Sequence, residues 1–186
     1  MIHIVGAGSG AVDLITVRGD RLLRDADVVV WAGSLVNPAL LELCKPGCEI
    51  HDSAKMTLEE VMDVMLAANA EGKDVVRLHT GDPSIYGAIR EQMDLLAKND
   101  VPFEVVPGVS SFCGGAAALN AELTLPGVSQ SVIITRLEGR TPMPEGEKMP
   151  MLASHGATMV IFLSAGMLDK LQAQLMEGGY DADTPA

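Results

Sequence analysis

The sequence predicts an α/β protein built on a parallel sheet, and three observations support that fold class. Short apolar runs rich in Val and Ile alternate with longer segments of helical period, an order typical of strands joined by helical crossovers. Hydrophobic residues make up 48% of the 186 residues, which is enough apolar surface for a globular core. Aromatic residues make up only 3%, so aliphatic side chains must fill that core.

Seven strands are expected from the apolar runs. Five of them lie in the first part of the chain and two in the second. The expected strands are residues 2–6, 28–32, 49–52, 74–78, 103–106, 131–135 and 159–163.

Helices are expected between and after these strands. Residues 57–60 form a capping box that begins one helix, and Gly72 ends it. Residues 84–97 and 166–177 have the apolar spacing of amphipathic helices. Residues 110–119 predict a helix of small side chains, which permit close packing against a neighbouring element or a ligand.

A change in the pattern of apolar and polar residues near residues 107–112 predicts two domains. The N-terminal α/β domain is expected over 1–108 and a C-terminal α/β domain over 112–186. The second has only two clear strands, separated by a long loop rich in Pro, Gly and Glu. Because a two-stranded sheet with one helix is marginal by itself, we expect this domain to be truncated relative to a longer parent or completed by a partner.

The composition excludes several classes of function. The formal net charge of −12 argues against nucleic-acid and anionic-membrane partners, since both require clustered cations. The amino terminus leads directly into an apolar strand, and no apolar run approaches the roughly 20 residues that span a bilayer. Three cysteines are too few for a disulfide framework, and the His and Cys spacings predict no metal site. A soluble cytoplasmic protein is therefore expected.

The first loop whose sequence indicates a ligand site follows the first strand. Residues 5–11 read Val-Gly-Ala-Gly-Ser-Gly-Ala and fit the dinucleotide fingerprint, so a nicotinamide dehydrogenase is an open alternative, as is a plain glycine turn. Two features disfavour the dehydrogenase. The helical pattern begins only at Val17, beyond the glycine run, and the second strand ends at Trp31-Ala32-Gly33 without an acidic residue to hold a ribose.

Two further loops follow expected strands. Residues 77–87 read Arg-Leu-His-Thr-Gly-Asp-Pro-Ser-Ile-Tyr-Gly, and residues 106–111 read Val-Pro-Gly-Val-Ser-Ser. Because ligands of open α/β sheets bind beyond the carboxyl ends of the strands, both loops are expected to face the same crevice as the glycine loop. The simpler alternative is that Asp82 and Ser110 serve only as helix caps.

In order and approximate spacing, the three loops together resemble the tetrapyrrole (corrin and porphyrin) methylase family. The likeness covers essentially the whole chain and includes Leu-Ile-Thr-Val-Arg-Gly at 14–19. Within that family, residues 79–87 and 111–113 look like the precorrin-4 C(11)-methyltransferases. The discriminating stretch is 135–142, which reads Thr-Arg-Leu-Glu-Gly-Arg-Thr-Pro.

The resemblance implies two α/β domains with a ligand cleft between them, and a homodimer. It implies S-adenosylmethionine as the methyl donor, S-adenosylhomocysteine as its product, and methylation of precorrin-4 or its cobalt complex at carbon 11 in cobalamin biosynthesis. The expected cofactor contacts are Gly8, Ser9, Thr80, Gly81, Asp82, Ile85, Ser110, Ser111 and Leu163. The expected substrate contacts are His79, Tyr86, Arg136 and Arg140, with Arg18 and Arg90 as lesser candidates.

The chain departs from the family pattern in two places. Ser9, Ala11 and Val12 stand where many members have Pro, Asp and Pro, which predicts a less rigid first loop. Family members also continue beyond residue 186, so an inactive cofactor-binding fragment is an open alternative, as is another tetrapyrrole methylase step. No residue is assigned as a general base, because a sulfonium donor and an enamine-like carbon need alignment more than proton transfer.

Overall fold

The computed structural model describes all residues 1–186 and contains two compact units, Met1–Ala117 and Ala118–Ala186. The first unit is built on a five-stranded parallel sheet and the second on a two-stranded parallel sheet. The α/β fold class predicted from the sequence is therefore confirmed. The domain limits 1–108 and 112–186 stay a prediction.

The first sheet has the strand order β3-β2-β4-β1-β5. Three strands have the limits expected from the sequence, whereas β4 begins and ends one residue later than expected, so that His79 lies in the strand and not in the loop. The strands are β1 Ile2–Gly6, β2 Val28–Trp31, β3 Glu49–Asp52, β4 Val75–His79 and β5 Phe103–Val106.

Three α-helices lie within the first unit and a fourth, α4, ends at its boundary: α1 Val17–Asp25, α2 Leu58–Ala70, α3 Arg90–Lys98 and α4 Ser111–Ala118. The capping box is confirmed at α2. Thr57 Oγ1 accepts the backbone N–H of Glu60 at 3.2 Å, and Glu60 Oε2 accepts the N–H of Thr57 at 2.7 Å.

The helix predicted over 84–97 is wrong in its first part, because α3 begins at Arg90. Tyr86 and Ala88 have φ angles of 53° and 49°, in the left-handed region that no right-handed helix contains. The N–H of Ser84 is bound by the Asp82 side chain, which favours a local turn over a helix. Apolar spacing alone therefore overstated the length of this helix.

Two apolar layers cover the faces of the first sheet. On one face, Leu23 of α1 packs with Val29 and Leu78, and on the other, Met65 of α2 and Leu96 of α3 pack with strand residues. All five side chains are fully buried. Burial on both faces explains why the strands appear in the sequence as continuous aliphatic runs.

The second unit contains β6 Val132–Arg136 and β7 Thr158–Phe162, joined through α5 Met149–Ala153, and ends with α6 Leu168–Glu177. The sequence predicted a long loop between the two strands and missed α5. With five residues, α5 is too short to show helical periodicity. Nowhere in the chain is a helix both long enough and apolar enough to cross a bilayer.

Candidate functional site

Three loops meet at the carboxyl edge of the first sheet. Because β1 lies between β4 and β5, the loops that follow these three strands are neighbours. Gly8 and Gly81 exchange two backbone hydrogen bonds, of 3.3 Å from Gly8 N and 3.0 Å from Gly81 N. The structure thus brings the glycine loop into direct contact with the loop after β4.

Backbone contact with Gly81 and with each other leaves no room for side chains at Gly6 and Gly108. A Cβ on Gly6 would lie 2.6 Å from Gly81 O and 2.7 Å from Gly108 Cα. A Cβ on Gly108 would overlap Gly81 O and lie 2.8 Å from Gly6 Cα. Atoms at such distances repel strongly, so glycine is required at Gly6 and Gly108 for the loops to meet.

Asp82 links the loop after β4 to the loop after β5. Its Oδ2 accepts the N–H of Gly108 at 2.9 Å, and its Oδ1 accepts the N–H of Ser84 at 2.9 Å and the Ser84 hydroxyl. Burial alone raises the pKa of the Asp82 carboxyl, but the hydrogen bonds from Ser84 and Gly108 outweigh it and hold that pKa below its usual range. Asp82 is therefore an ionised link between loops, and it caps no helix.

His79 ends β4 and is 5% exposed. Burial, together with the charge of Arg77, lowers the pKa of His79 to about 3. The ring is therefore neutral near pH 7, and its Nε2 is buried without a hydrogen-bond partner. A buried polar atom without a partner is rare in folded proteins, which makes this ring a candidate ligand contact.

Hydroxyl and apolar groups border the same edge. Thr80 is exposed, and its Oγ1 donates to the carbonyl oxygen of Leu35 at 3.3 Å. The Leu35 side chain is 67% exposed. Ser110 is buried and Ser111 is exposed at the beginning of α4. Apolar surface beside a few polar groups is typical of a small-molecule site.

Of the other expected contacts of the first unit, Ser9, Ile85 and Tyr86 lie on two of these loops, and Arg18 and Arg90 lie on helices. Ser9 Oγ is buried without a hydrogen-bond partner, and a Cβ on Gly114 would lie 2.6 Å from it, so α4 packs directly on the glycine loop. Ile85 is half-buried, and Tyr86 is 44% exposed. Arg18 is exposed on α1.

Arg90, the other lesser candidate for the substrate, begins α3. It is exposed and forms an ion pair with Asp94, with 2.9 Å between Nη2 and Oδ1. Of the two lesser candidates, Arg18 alone has no ion pair within its own unit.

Three expected contacts belong to the second unit and are described within it. Leu163 follows β7, is 70% exposed and has a φ of 56°. Arg140 is exposed. The Arg136 guanidinium donates to backbone carbonyls at 3.1 to 3.3 Å, and these belong to Leu137, Thr141 and Pro142. Arg136 therefore holds the loop that carries Arg140.

Sequence reasoning missed two polar contacts in the loops that follow β1 and β2. Asn37 Nδ2 donates to the carbonyl oxygen of Gly10 at 2.7 Å, and the sequence Asn37-Pro38 is a cap signal that would have marked it. Asp52 at the end of β3 accepts the N–H of Gly33 at 3.1 Å. No local pattern indicates this second contact, because Gly33 lies in the loop after β2 and Asp52, at the end of β3, is 19 residues further along the chain.

The chain has no candidate metal site, and it has an apolar groove within the second unit. No group of three His, Cys, Asp or Glu side chains lies close enough to hold a metal ion. An apolar groove of about 780 Å³ lies in the second unit, lined by residues that include Met159, Ile161 and Leu175. None of the expected contacts lines this groove.

Comparison with known proteins identifies relatives over the whole chain. The family model of the tetrapyrrole (corrin/porphyrin) methylases matches residues 1–186. The chain is 58% identical over 184 residues to the cobalt-precorrin-4 C(11)-methyltransferase of Methanocaldococcus jannaschii, which covers 99% of this chain and 71% of the relative.

Solved structures give the same result for the fold. A crystal structure described as a cobalamin biosynthetic enzyme, cobalt precorrin-4 methyltransferase, has a TM-score of 0.94 and 50% identity, over 97% of this chain and 75% of that one. The uroporphyrin-III C-methyl transferase of Thermus thermophilus, complexed with S-adenyl homocysteine, has a TM-score of 0.78 and 29% identity. That match covers 97% of this chain and 73% of that one.

Replacing Gly108 by Ala tests the backbone contact. The new Cβ overlaps Gly81 O, so we expect a loss of about 2 kcal/mol in the free energy of unfolding measured with urea. Gly115→Ala is the matched control, because a Cβ there meets nothing within 4 Å, and in helix α4 it is expected to stabilise by roughly 0.5 to 1 kcal/mol. Equal stability of the two variants contradicts the contact.

The pKa of His79 predicts a pH dependence of stability. In the unfolded chain His79 binds a proton below its usual pKa of 6.5, whereas in the folded protein the ring stays neutral down to about pH 3. The free energy of unfolding therefore decreases as the pH falls through this range. Between about pH 7 and pH 4 we expect the wild type to lose about 3 kcal/mol more than His79→Gln. The control is His155→Gln, since His155 is exposed. A His79→Gln curve parallel to the wild type contradicts the neutral buried ring.

Proposed function

Because the chain belongs to the tetrapyrrole (corrin/porphyrin) methylases, we propose that it transfers a methyl group from S-adenosylmethionine to carbon 11 of precorrin-4 or cobalt-precorrin-4. The observation that carries the proposal is the meeting of its three strand-end loops at Gly6, Gly81 and Gly108. The choice of substrate rests on the 58% identity to a protein named for this reaction.

The carboxyl edge of the first sheet fits S-adenosylmethionine. Contact between Gly6 and Gly108 brings the three loops together, so that one ligand can be contacted by all three at this edge. Exposed Leu35 beside the Thr80 hydroxyl suits a nucleoside, and ionised Asp82 suits a ligand that carries a positive charge. Bound there, the cofactor supplies an electrophilic methyl group on a sulfonium.

The cofactor contacts that we propose are those expected from the sequence. In the first unit they lie on the three loops that meet, and Leu163 lies in the second unit. They are Gly8, Ser9, Thr80, Gly81, Asp82, Ile85, Ser110, Ser111 and Leu163. For Asp82 the contact is indirect in our proposal, because both of its carboxylate oxygens already accept hydrogen bonds from the protein.

The proposed substrate contacts are chosen for a tetrapyrrole that carries several carboxylates. Arg140 is exposed, and Arg136 positions its loop. The Arg140 guanidinium can therefore bind a carboxylate through two parallel hydrogen bonds. His79 and Tyr86 flank the loop that contains Asp82 and offer polar contacts. The net charge of −12 makes such local cations important, since the chain as a whole repels anions.

The protein's part in the reaction is orientation. With the reacting carbon held against the methyl donor, alignment accounts for roughly 7 to 11 kcal/mol of the barrier in well-oriented systems. His79 is neutral near pH 7 and Asp82 is ionised and hydrogen-bonded, so neither is poised to exchange a proton at neutral pH. We therefore assign no general base.

The dehydrogenase alternative finds no support in the geometry. A 3-10 turn at Val12–Leu14 follows the glycine run, and α1 begins only at Val17, where Thr16 Oγ1 accepts the N–H of Gly19 at 3.1 Å. The helix terminus that binds a dinucleotide pyrophosphate is thus absent from the glycine run.

A homodimer and a cytoplasmic location are also part of our proposal.

Mass spectrometry of the product tests the reaction. Precorrin-4 and its cobalt complex are offered in parallel with S-adenosylmethionine that carries a labelled methyl group. We expect one labelled methyl group to appear at carbon 11 of at least one of the two substrates. Cofactor binding without transfer to either substrate contradicts the proposed activity and favours a binding fragment.

Replacing Asp82 by Ala tests the cofactor site. Loss of the link between the loops after β4 and β5 is expected to weaken binding of S-adenosylhomocysteine about tenfold by calorimetry. Asp63→Ala is the control for the charge change, since Asp63 is exposed on α2 and has no salt bridge. Unchanged affinity of the Asp82→Ala variant refutes the role of this carboxylate.

A further inference from the structure

Arg77 is a buried cation without an acidic partner. Its side chain lies in the middle of β4, is 7% exposed, and has no carboxylate within ion-pair distance. Burial lowers its pKa to about 10. Burying an arginine costs free energy unless its N–H groups form hydrogen bonds. The groups that accept these hydrogen bonds therefore indicate the role of Arg77.

The partners of Arg77 lead towards α3. Its Nη1 donates to the carbonyl oxygen of Val30 at 3.1 Å, and its Nε donates to Gln92 Oε1 at 3.1 Å. Gln92 is itself 4% exposed, and its Nε2 donates to the carbonyl oxygen of Ala88 at 3.2 Å. A continuous chain of hydrogen bonds therefore runs from β4 through Gln92 to the turn before α3.

That turn has an unfavourable backbone. Tyr86 and Ala88 both have positive φ angles, which residues with a Cβ rarely adopt. Between them, a Cβ on Gly87 would overlap the carbonyl oxygen of Pro83. Such a conformation persists only where surrounding contacts hold it, and strained backbone of this kind concentrates at ligand sites.

We propose that Arg77 and Gln92 are positioning residues that fix the Tyr86–Ala88 turn for tetrapyrrole binding. Arg77 orients the Gln92 amide so that its N–H group reaches Ala88 O, and this bond holds Tyr86 beside the loop of Asp82. Burial, with a smaller contribution from the charge of Arg77, keeps the neighbouring His79 ring neutral. The inference rests on the proposed function, in which Tyr86 and His79 contact the substrate.

Two substitutions of Gln92 separate positioning from simple packing. Gln92→Glu keeps the length of the side chain and an acceptor for Arg77, but at about pH 8 its carboxylate has no N–H to donate to Ala88 O. Gln92→Met keeps the length and removes both bonds. Glu91→Gln is the matched control, because Glu91 is exposed on the same helix.

Fluorine NMR detects a change in the conformation of the Tyr86–Ala88 turn without any measurement of activity. The chain has two tyrosines, so incorporation of 3-fluorotyrosine gives one resonance from Tyr86 and one from Tyr180 in the other unit. In both Gln92 variants we expect the Tyr86 resonance to shift or broaden, with Tyr180 unchanged and the Glu91→Gln spectrum like the wild type. An unchanged Tyr86 resonance in a folded Gln92→Glu variant overturns the proposal.

Kinetics then tests the link to the substrate. For Gln92→Glu we expect KM for the tetrapyrrole to rise about tenfold, with kcat and the affinity for S-adenosylhomocysteine within about twofold of the wild type. A Tyr86 resonance that moves while KM stays constant overturns the substrate role of the turn. If the wild type itself transfers no methyl group, the proposed function fails, whereas the NMR result still decides whether Gln92 holds the turn.

Discussion

Backbone contact among Gly6, Gly81 and Gly108 is the constraint on which the site depends. The three residues follow or end neighbouring strands, and their approach is closer than any Cβ allows at Gly6 or Gly108. Because the loops meet as bare backbone, residues of all three loops lie together at one edge of the sheet. A methyl donor and its acceptor must be aligned closely, and an edge where three loops pack together can provide that alignment.

Polar side chains reinforce this edge from within the first unit. Asp82 joins the loops after β4 and β5 through hydrogen bonds to Ser84 and Gly108. Arg77 and Gln92 hold the turn that follows the same loop. Arg77 is buried and donates to neutral oxygen atoms of Val30 and Gln92. Although the chain has a net charge of −12, no acidic side chain forms an ion pair with it.

Local patterns predicted the regular elements well. β1, β3 and β5 have the limits read from aliphatic runs, and the capping box at Thr57 forms as expected. The prediction was wrong where backbone strain overrides apolar spacing, since Tyr86 and Ala88 keep α3 from beginning at residue 84. It also missed α5, which is shorter than the window over which periodicity becomes visible.

The sequence by itself determined the fold class, the order of the three loops and the resemblance to the tetrapyrrole methylases, because aliphatic runs and glycine-rich turns are local signals. Only the tertiary structure decided that Asp82 links two loops, that His79 is buried and neutral, and that Arg77 lacks an acid. These properties depend on strand order and burial. Both arise from contacts between residues far apart in the chain, which no local pattern records.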